Sequence, residues 1–415
     1  MYALIAMLLA LGVLVVLVRL KVKLGLSMVL SSLALAILLG VRPGELWAVV
    51  VEEWNSKPLS RTTGYMFVTL VALVTLVNVL GVAMKETGVS HRLAGALQGI
   101  FRSRRLALAA IPMMMGLLPT PGGIMLSAPM VRQLGDDIGI DRDRSAAVNF
   151  LFRHQWETIW PLFPAVLWVR GMLGVSAFEL ILHNLPIMVS GTLGGVMFLL
   201  VGGIRPAENR RARARGRLLQ DLRDFAHAFW PIVLVGLLYV LLGVVPAVGL
   251  VPATVVFLVV QRVPVGNWAG TLRSAFRFDL VLLIFGVLLF KVNLEAGRAV
   301  QSVVQFFWDM HVPKTLLIFL LPMLVSFLTG LTLATVAMTF PLLLPFMSVG
   351  EQVRLGLEVL AFSGVVCGLL LTPVHLCMAL SAGYFETSVW KIVVRVAGPV
   401  VFVAAAGIVM AVLFG

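Results

Sequence analysis

The segment 149–161 is the most polar stretch inside any long apolar run of this sequence. Helical spacing places Asn149, Arg153 and Glu157 on one face, four residues apart, with His154 on the adjacent face. An ionised Arg or Glu at membrane depth is costly, so such residues mark a functional site by default. We therefore predict that Asn149 and Arg153 bind a solute and that His154 and Glu157 take part in ion coupling.

Two structural explanations compete with this prediction. Residues 149–157 lie close to the start of their apolar run, so Arg153 could extend its charge to the membrane surface. Arg153 could also pair with Glu157 for stability alone. The position of the segment, directly after a broken apolar run, favours a functional site.

A second histidine occupies the corresponding place in the other half of the chain. His375 follows Thr372 and Pro373 in an apolar run that the proline interrupts. A lone intramembrane histidine is more often a packing residue, but its position relative to His154 makes it a candidate. We predict ion coupling for His375 and solute binding for Thr372.

Two apolar runs are interrupted by residues that break a helix. Lipid cannot satisfy the exposed backbone groups of such a break, which is tolerated only inside protein or beside a wet cavity. We therefore predict two re-entrant hairpins, 106–131 and 315–347, with solute bound at their tips, where a helix N-terminus also favours an anion. The predicted binding residues are Pro119, Thr120, Pro121, Gly122, Gly123 and Ser127 in the first hairpin and Thr329, Gly330, Thr332 and Thr335 in the second. The alternatives are a proline kink in a continuous helix and threonines that bond only to their own helix.

The composition is that of a polytopic membrane protein. Of 415 residues, 60% are hydrophobic and only 12% are charged, and apolar stretches of spanning length recur along the chain. The net charge of +13 comes from cations in short loops, which report membrane orientation and do not indicate nucleic-acid binding. The sequence contains no common enzyme motif, so we predict no catalytic activity, no metal centre and no cofactor, with Na⁺ considered only as a coupling ion.

The two halves carry the same order of features, which predicts an internal repeat. We expect an all-α protein of about ten transmembrane helices plus the two hairpins. The predicted units are an N-terminal repeat 1–204 with a broken helix 145–169, a basic linker 205–224, and a C-terminal repeat 225–415 with a broken helix 354–380.

The loop charges predict the orientation. The Arg-rich linker belongs in the cytoplasm by the positive-inside rule. If 106–131 is a hairpin, the basic loop 85–105 lies on the same side and both termini lie outside. The first half then has an odd number of full spans, and the second half is inverted relative to it.

Three motifs, at 118–130, 149–161 and 372–377, resemble a domain-of-unknown-function family of bacterial and archaeal integral membrane proteins. That family is placed in the ion transporter superfamily with gluconate permeases, citrate carriers and divalent-anion/sodium symporters. The resemblance implies inverted repeats, opposed hairpins, a dimerising scaffold and elevator-type alternating access with organic anions as cargo. The tips lack the Ser-Asn-Thr signature of the sodium-coupled carboxylate carriers. The residues that bind carboxylate and sodium in those carriers are therefore not assigned to this chain.

The sequence therefore predicts a secondary active transporter in the cytoplasmic membrane that moves a small anionic organic solute. Coupling to H⁺ is favoured over Na⁺ because His154, Glu157 and His375 can exchange protons. The expected partners are the solute, membrane lipids and a second copy of the chain. The alternatives are an ion channel, a lipid or lipid-phosphate flippase that holds headgroups with its basic loops, and, least favoured, an intramembrane enzyme.

Overall fold

The structure is a computed structural model that describes residues 2–59, 62–101, 103–117, 124–201, 215–350 and 352–415. Within these ranges the chain is almost entirely helical, with one two-stranded antiparallel ribbon. This confirms the all-α prediction. The first hairpin tip, 118–123, and linker residues 202–214 lie outside the described residues.

The helices of the two halves follow one another in the same order. Those of the first half are α1 (Tyr2–Arg19), α2 (Leu24–Leu39), α3 (Pro43–Ser56), α4 (Thr63–Glu86), α5 (Val89–Ile100), α6 (Arg104–Gly116), α7 (Ile124–Ile138), α8 (Arg142–Arg153), α9 (Pro164–Leu173) and α10 (Ala177–Gly195), which continues as a π-helix over Val196–Leu200. Those of the second half are α11 (Arg215–Leu242), α12 (Pro246–Val260), α13 (Val265–Ala275), α14 (Phe278–Ala296), α15 (Ala299–Asp309), α16 (Lys314–Thr329), α17 (Thr332–Met347), α18 (Leu355–Leu371), α19 (Leu376–Tyr384) and α20 (Val389–Phe414). Strands β1 (Ser348–Val349) and β2 (Gln352–Val353) join α17 to α18.

Several of these helices suit a membrane by length and composition. Among the described residues, six are long and apolar enough to cross one, and up to eight if each of two bent helix pairs counts as one span. One bent pair is α2 with α3, whose axes differ by 106°. The chain is therefore a multi-pass helical protein. Residues 215–224 of the predicted linker are helical and form the start of α11.

The helices pack in two groups. In the frame group, α1–α5 and α11–α15, helix α2 packs on α14, α5 on α11, and α4 on α12. In the hairpin group, α6–α10 and α16–α20, helix α18 packs between α16 and α20, and α6 contacts both α7 and α8. Among the described residues, each half contributes five helices to each group. The breaks between α8 and α9, α16 and α17, and α18 and α19 belong to the hairpin group.

Candidate functional site

The first helix break of the site lies between α8 and α9. Helix α8 ends at Arg153, and the chain then runs in turns until Pro164 begins α9. The prediction of one helical face through Glu157 is therefore wrong. Pro161 would interrupt a continuous helix near residue 157, because its ring would clash with the carbonyl of that residue, and the chain already leaves the helix at Arg153. Glu157 lies in the turn segment and not one helical turn beyond Arg153.

Arg153 points into the protein. It is 5% exposed, and its Nη1 donates a hydrogen bond of 2.8 Å to the carbonyl oxygen of Met115. Met115 is in the last turn of α6, where helix carbonyls carry partial negative charge. The contact ties α8 to the first hairpin and excludes the alternative in which Arg153 reaches the surface.

The second break lies between α18 and α19. Because a proline disfavours the helical conformation of the residue before it, Thr372 is extended and α18 ends at Leu371. The Thr372 hydroxyl donates to the carbonyl oxygen of Phe327 on α16 and accepts the Val374 N–H at 3.3 Å. His375 follows as the N-cap residue of α19. Thr372 thus fixes the break against the second hairpin.

The third break is the tip of the second hairpin. Helix α16 ends at Thr329, and Gly330 follows as its C-cap residue with a φ of +66°. Residues with a side chain rarely adopt this left-handed conformation. A Cβ at Gly330 would also lie 3.1 Å from the backbone nitrogen of His375. The hydroxyls of Thr329 and Thr335 are 3.2 Å apart, and Thr335 donates to the carbonyl four residues before it. These two threonines therefore bond within the tip.

The three breaks meet at four side chains, His154, Glu157, Thr332 and His375, which we call the polar centre. Nε2 of His154 lies 3.0 Å from Nε2 of His375 and 3.8 Å from Oε1 of Glu157. The Thr332 hydroxyl donates to Glu157, and Nδ1 of His375 is 2.7 Å from the carbonyl oxygen of Gly330. The structure thus brings together the three residues predicted for ion coupling and one predicted for solute binding.

Asn149 and Ser127 lie on the side of the centre formed by the first hairpin. Both are fully buried, and the Ser127 hydroxyl donates to Asn149 Oδ1 at 2.6 Å. Nδ2 of Asn149 donates to the carbonyl oxygen of Ile124 at 3.3 Å and to the hydroxyl of Ser381 at 3.4 Å. Asn149 thereby joins α8 to α7 and α19. The five predicted tip residues 119–123 lie outside the described residues.

Two residues of α19 belong to the site although the sequence analysis missed them. Ser381 contacts Asn149, and the Cys377 thiol is a hydrogen-bond neighbour of His154 and Arg153. Their spacing of four residues puts them on one helix face, which was the available signal. Among the described residues, one group of donors could hold a metal ion: His154, His375 and Cys377, whose ligand atoms lie within 4.8 Å of one another.

The protein is thus a multi-pass helical membrane protein in which interrupted helices converge on buried polar groups. The chain belongs to the family described as "Protein of unknown function (DUF401)", whose model matches residues 2–413. The prediction of a family of unknown function is confirmed. The relation of this family to gluconate permeases, citrate carriers and divalent-anion/sodium symporters stays a prediction.

One solved structure extends the comparison to the fold. The chain is similar to the crystal structure of the Alcanivorax borkumensis YdaH transporter, whose topology is described as unusual, with a TM-score of 0.61 and 13% sequence identity. The match covers 87% of this chain and 88% of that one. At this identity the likeness concerns the fold alone. No curated protein matches the chain.

Proposed function

We propose that this protein is a secondary active transporter that moves a small anionic organic solute across the cytoplasmic membrane by alternating access, coupled to H⁺ or Na⁺. The observation that carries the proposal is the convergence of three helix breaks on the polar centre. Broken helices that meet at membrane depth form the binding sites of secondary transporters, and the similar YdaH structure is titled a transporter.

Positive charge at the centre favours an anionic solute. The guanidinium of Arg153 is buried beside the three breaks. Helices α17 and α19 begin at Thr332 and Leu376, so their N-terminal N–H groups and positive dipole ends are near the polar centre. In this proposal Arg153, Thr332 and the Gly330 backbone bind the solute, and the first tip, 119–123, completes the site.

The remaining predicted binding residues hold the breaks in place. Ser127 and Asn149 join α7 to α8, Thr372 anchors the α18–α19 break, and Thr329 with Thr335 shapes the second tip. This supporting role follows from hydrogen bonds that they make to the protein itself.

Glu157 is the proposed coupling residue, with His154 and His375 beside it. A carboxylate can bind either H⁺ or Na⁺. Because Thr332 on the second tip donates to this carboxylate, binding of a cation at Glu157 changes the contact that holds the tip against the α8–α9 break. This contact links ion binding to movement of the hairpin.

The boundary between the two helix groups supports a relative movement. Two cavities of about 430 and 560 Å³ lie there. Both are lined by Pro58, between α3 and α4, by Met66 of α4, and by Trp168 and Gly171 of α9. We propose that the hairpin group moves as a unit against a frame group that forms a homodimer in the lipid bilayer. Cavities of this size at the boundary leave space for such a movement.

The test is uptake by the purified protein in proteoliposomes, with a panel of small labelled carboxylates under imposed H⁺ or Na⁺ gradients. We expect saturable accumulation of at least one anion under one gradient. Arg153→Ala should weaken solute binding at least tenfold, whereas Arg19→Ala, an exposed arginine at the end of α1, should not. Flux that follows the solute gradient without saturation would identify a channel, and a folded protein that accumulates no anion under either gradient would reject the proposal.

A further inference from the structure

The hydrogen bonds of the two histidines at the polar centre fix their tautomers. Nδ1 of His154 lies 2.6 Å from the carbonyl oxygen of Phe150, and Nδ1 of His375 lies 2.7 Å from that of Gly330. A carbonyl oxygen only accepts hydrogen bonds, so each Nδ1 carries a proton. In neutral imidazole the other nitrogen then presents its lone pair.

The two lone pairs face each other across a short distance. Nε2 of His154 and Nε2 of His375 are 3.0 Å apart, a contact between two acceptors that is repulsive unless a cation lies between them. A third donor, Sγ of Cys377, belongs to the same group, whose ligand atoms lie within 4.8 Å of one another. Two imidazoles and a thiolate are the donor set that soft and borderline transition metals select.

We propose that His154, His375 and Cys377 form a binding site for a transition-metal cation of the Zn²⁺ class. With metal–nitrogen distances of about 2.0–2.1 Å and a metal–sulfur distance of about 2.3 Å, the ligand atoms of a tetrahedral site lie roughly 3.3–3.6 Å apart. The two histidine nitrogens would therefore separate slightly, and the sulfur would move closer to them. Three protein ligands leave a fourth tetrahedral position for water or for Glu157, whose Oε1 lies 3.8 Å from His154 Nε2.

The surroundings already resemble those of a metal site. Metal-bound histidines almost always donate their second N–H to a carbonyl or carboxylate, which fixes the ring and the tautomer, and both histidines do so here. Arg153 and the N-terminal end of α19 both lie beside Cys377, and a cysteine binds a metal as its thiolate. The thiolate and the Glu157 carboxylate together offset the charge of Arg153 and part of that of the metal.

No metal centre is predicted from the sequence. The two histidines are 221 positions apart, and no ligand motif with metal-site spacing is present. A bound metal would join the α8–α9 turn to α19 and, through the Gly330 carbonyl, to the second tip. It would therefore hold the three breaks together and inhibit the proposed transport, but metal binding itself does not depend on that proposal.

The experiment measures metal binding without any transport. The full chain, purified with its affinity tag removed, is reduced, stripped with a chelator and titrated with Zn²⁺ or Co²⁺. We expect one ion per chain and, with Co²⁺, the charge-transfer absorption of a cobalt–thiolate bond. Zn²⁺ should also slow alkylation of Cys377 by N-ethylmaleimide.

The chain offers a matched control in its other cysteine, Cys367, which is buried on α18 and contacts the carbonyl oxygen of Val400. Cys377→Ser and His375→Ala should each weaken Zn²⁺ binding at least tenfold, and Cys377→Ser should abolish the cobalt–thiolate band. Cys367→Ser should retain both. The proposal is overturned if the stripped wild-type protein binds no Zn²⁺, which would leave a shared proton as the cation between the histidines. It is equally overturned if Cys377→Ser, shown to be folded by its thermal transition, binds Zn²⁺ as the wild type does.

Discussion

At the scale of the residue, the polar centre and the neighbouring Arg153 bring together several ionisable groups whose burial costs free energy. His154 and Glu157 are each 6% exposed and Arg153 is 5% exposed, and burying charge without partners costs several kcal/mol. Each of these side chains has a hydrogen-bond or ion-pair contact to another part of the site. A protein under selection for stability alone would do as well with apolar residues here, so the arrangement supports a functional role.

Glu157→Gln tests the coupling role. The amide keeps the size of the side chain and can still accept from Thr332, but it lacks the negative charge that attracts a cation. We expect gradient-driven accumulation to fall at least tenfold while solute exchange between preloaded vesicles and medium continues, because exchange needs no net ion movement. Glu52→Gln, an exposed carboxyl of α3, should change neither assay. A stable Glu157→Gln protein with full accumulation would contradict the coupling role.

Gly330→Ala tests the packing of the second tip against His375. Left-handed backbone costs a residue with a side chain about 1–2 kcal/mol, and at Gly330 the new Cβ would also press on the His375 backbone. Gly350, in the β1–β2 turn, has a similar φ of +61° with no neighbouring atom within 4 Å. Gly350→Ala should therefore lower the thermal transition to a comparable extent and leave transport intact, whereas Gly330→Ala should impair both. Equal transport by the two variants would show that the contact with His375 is not required.

At the scale of the element, a buried ion pair fastens helix α3 to α14. Glu53 of α3 and Lys291 of α14 are 2% and 6% exposed, and Lys291 Nζ also lies 3.4 Å from Glu295. Both helices belong to the frame group, so this pair holds together the part of the protein that the proposal treats as stationary.

Lys291→Met should destabilise the frame by about 3 kcal/mol, near the lower end of the range for breaking a buried pair, because Glu53 retains Lys57 at 2.9 Å. The measurement is the thermal transition in detergent. Lys391→Met, which removes an exposed pair with Asp143, should cost less than about 1 kcal/mol. The double variant Glu53→Gln, Lys291→Met should recover part of the loss. Equal shifts for the two lysine variants would refute a special role for the buried pair.

At the scale of the whole molecule, the contacts between loops agree with the predicted division of the loops between two sides of the membrane. Four polar contacts each join loops or helix ends that the charge count puts on one side of the membrane. Those on the side of the basic loops are Thr271–Glu86 and Arg395–Asp141, and those on the other side are Lys291–Glu53 and Arg354–Gly415. The orientation itself is a proposal and needs its own measurement.

Epitope tags after Gly415 and within 205–214 test the orientation in intact spheroplasts. The C-terminal tag should be accessible to antibody from outside, whereas the internal tag should become accessible only after permeabilisation, because the basic linker belongs in the cytoplasm. Two tags exposed on the same side would contradict the orientation predicted from the loop charges. The hairpin assignment for 106–131, on which the count depends, would then also be wrong.

Features that depend on neighbouring residues could be predicted from the sequence. Hydropathy placed the second hairpin at 315–347, within one residue of helices α16 and α17, which run from Lys314 to Met347. Pro373 and Gly330 placed two helix breaks, because proline and glycine act on the backbone within one turn. Helix α5 was missed within the predicted loop 85–105 because it is short and amphipathic. The end of α8 at Arg153 was missed because polar spacing alone does not reveal where a helix stops.

Which of these breaks meet depends on how distant helices pack against one another. Nothing local brings His154 to His375, or Thr332 to Glu157, since these pairs are 221 and 175 positions apart. Their contacts depend on how α8, α17 and α19 pack, which is the summed result of many weak apolar contacts along whole helices. The same packing places Cys377 beside the two histidines. The sequence therefore determined the candidate residues, and the packing of the hairpin group determined the site that they form.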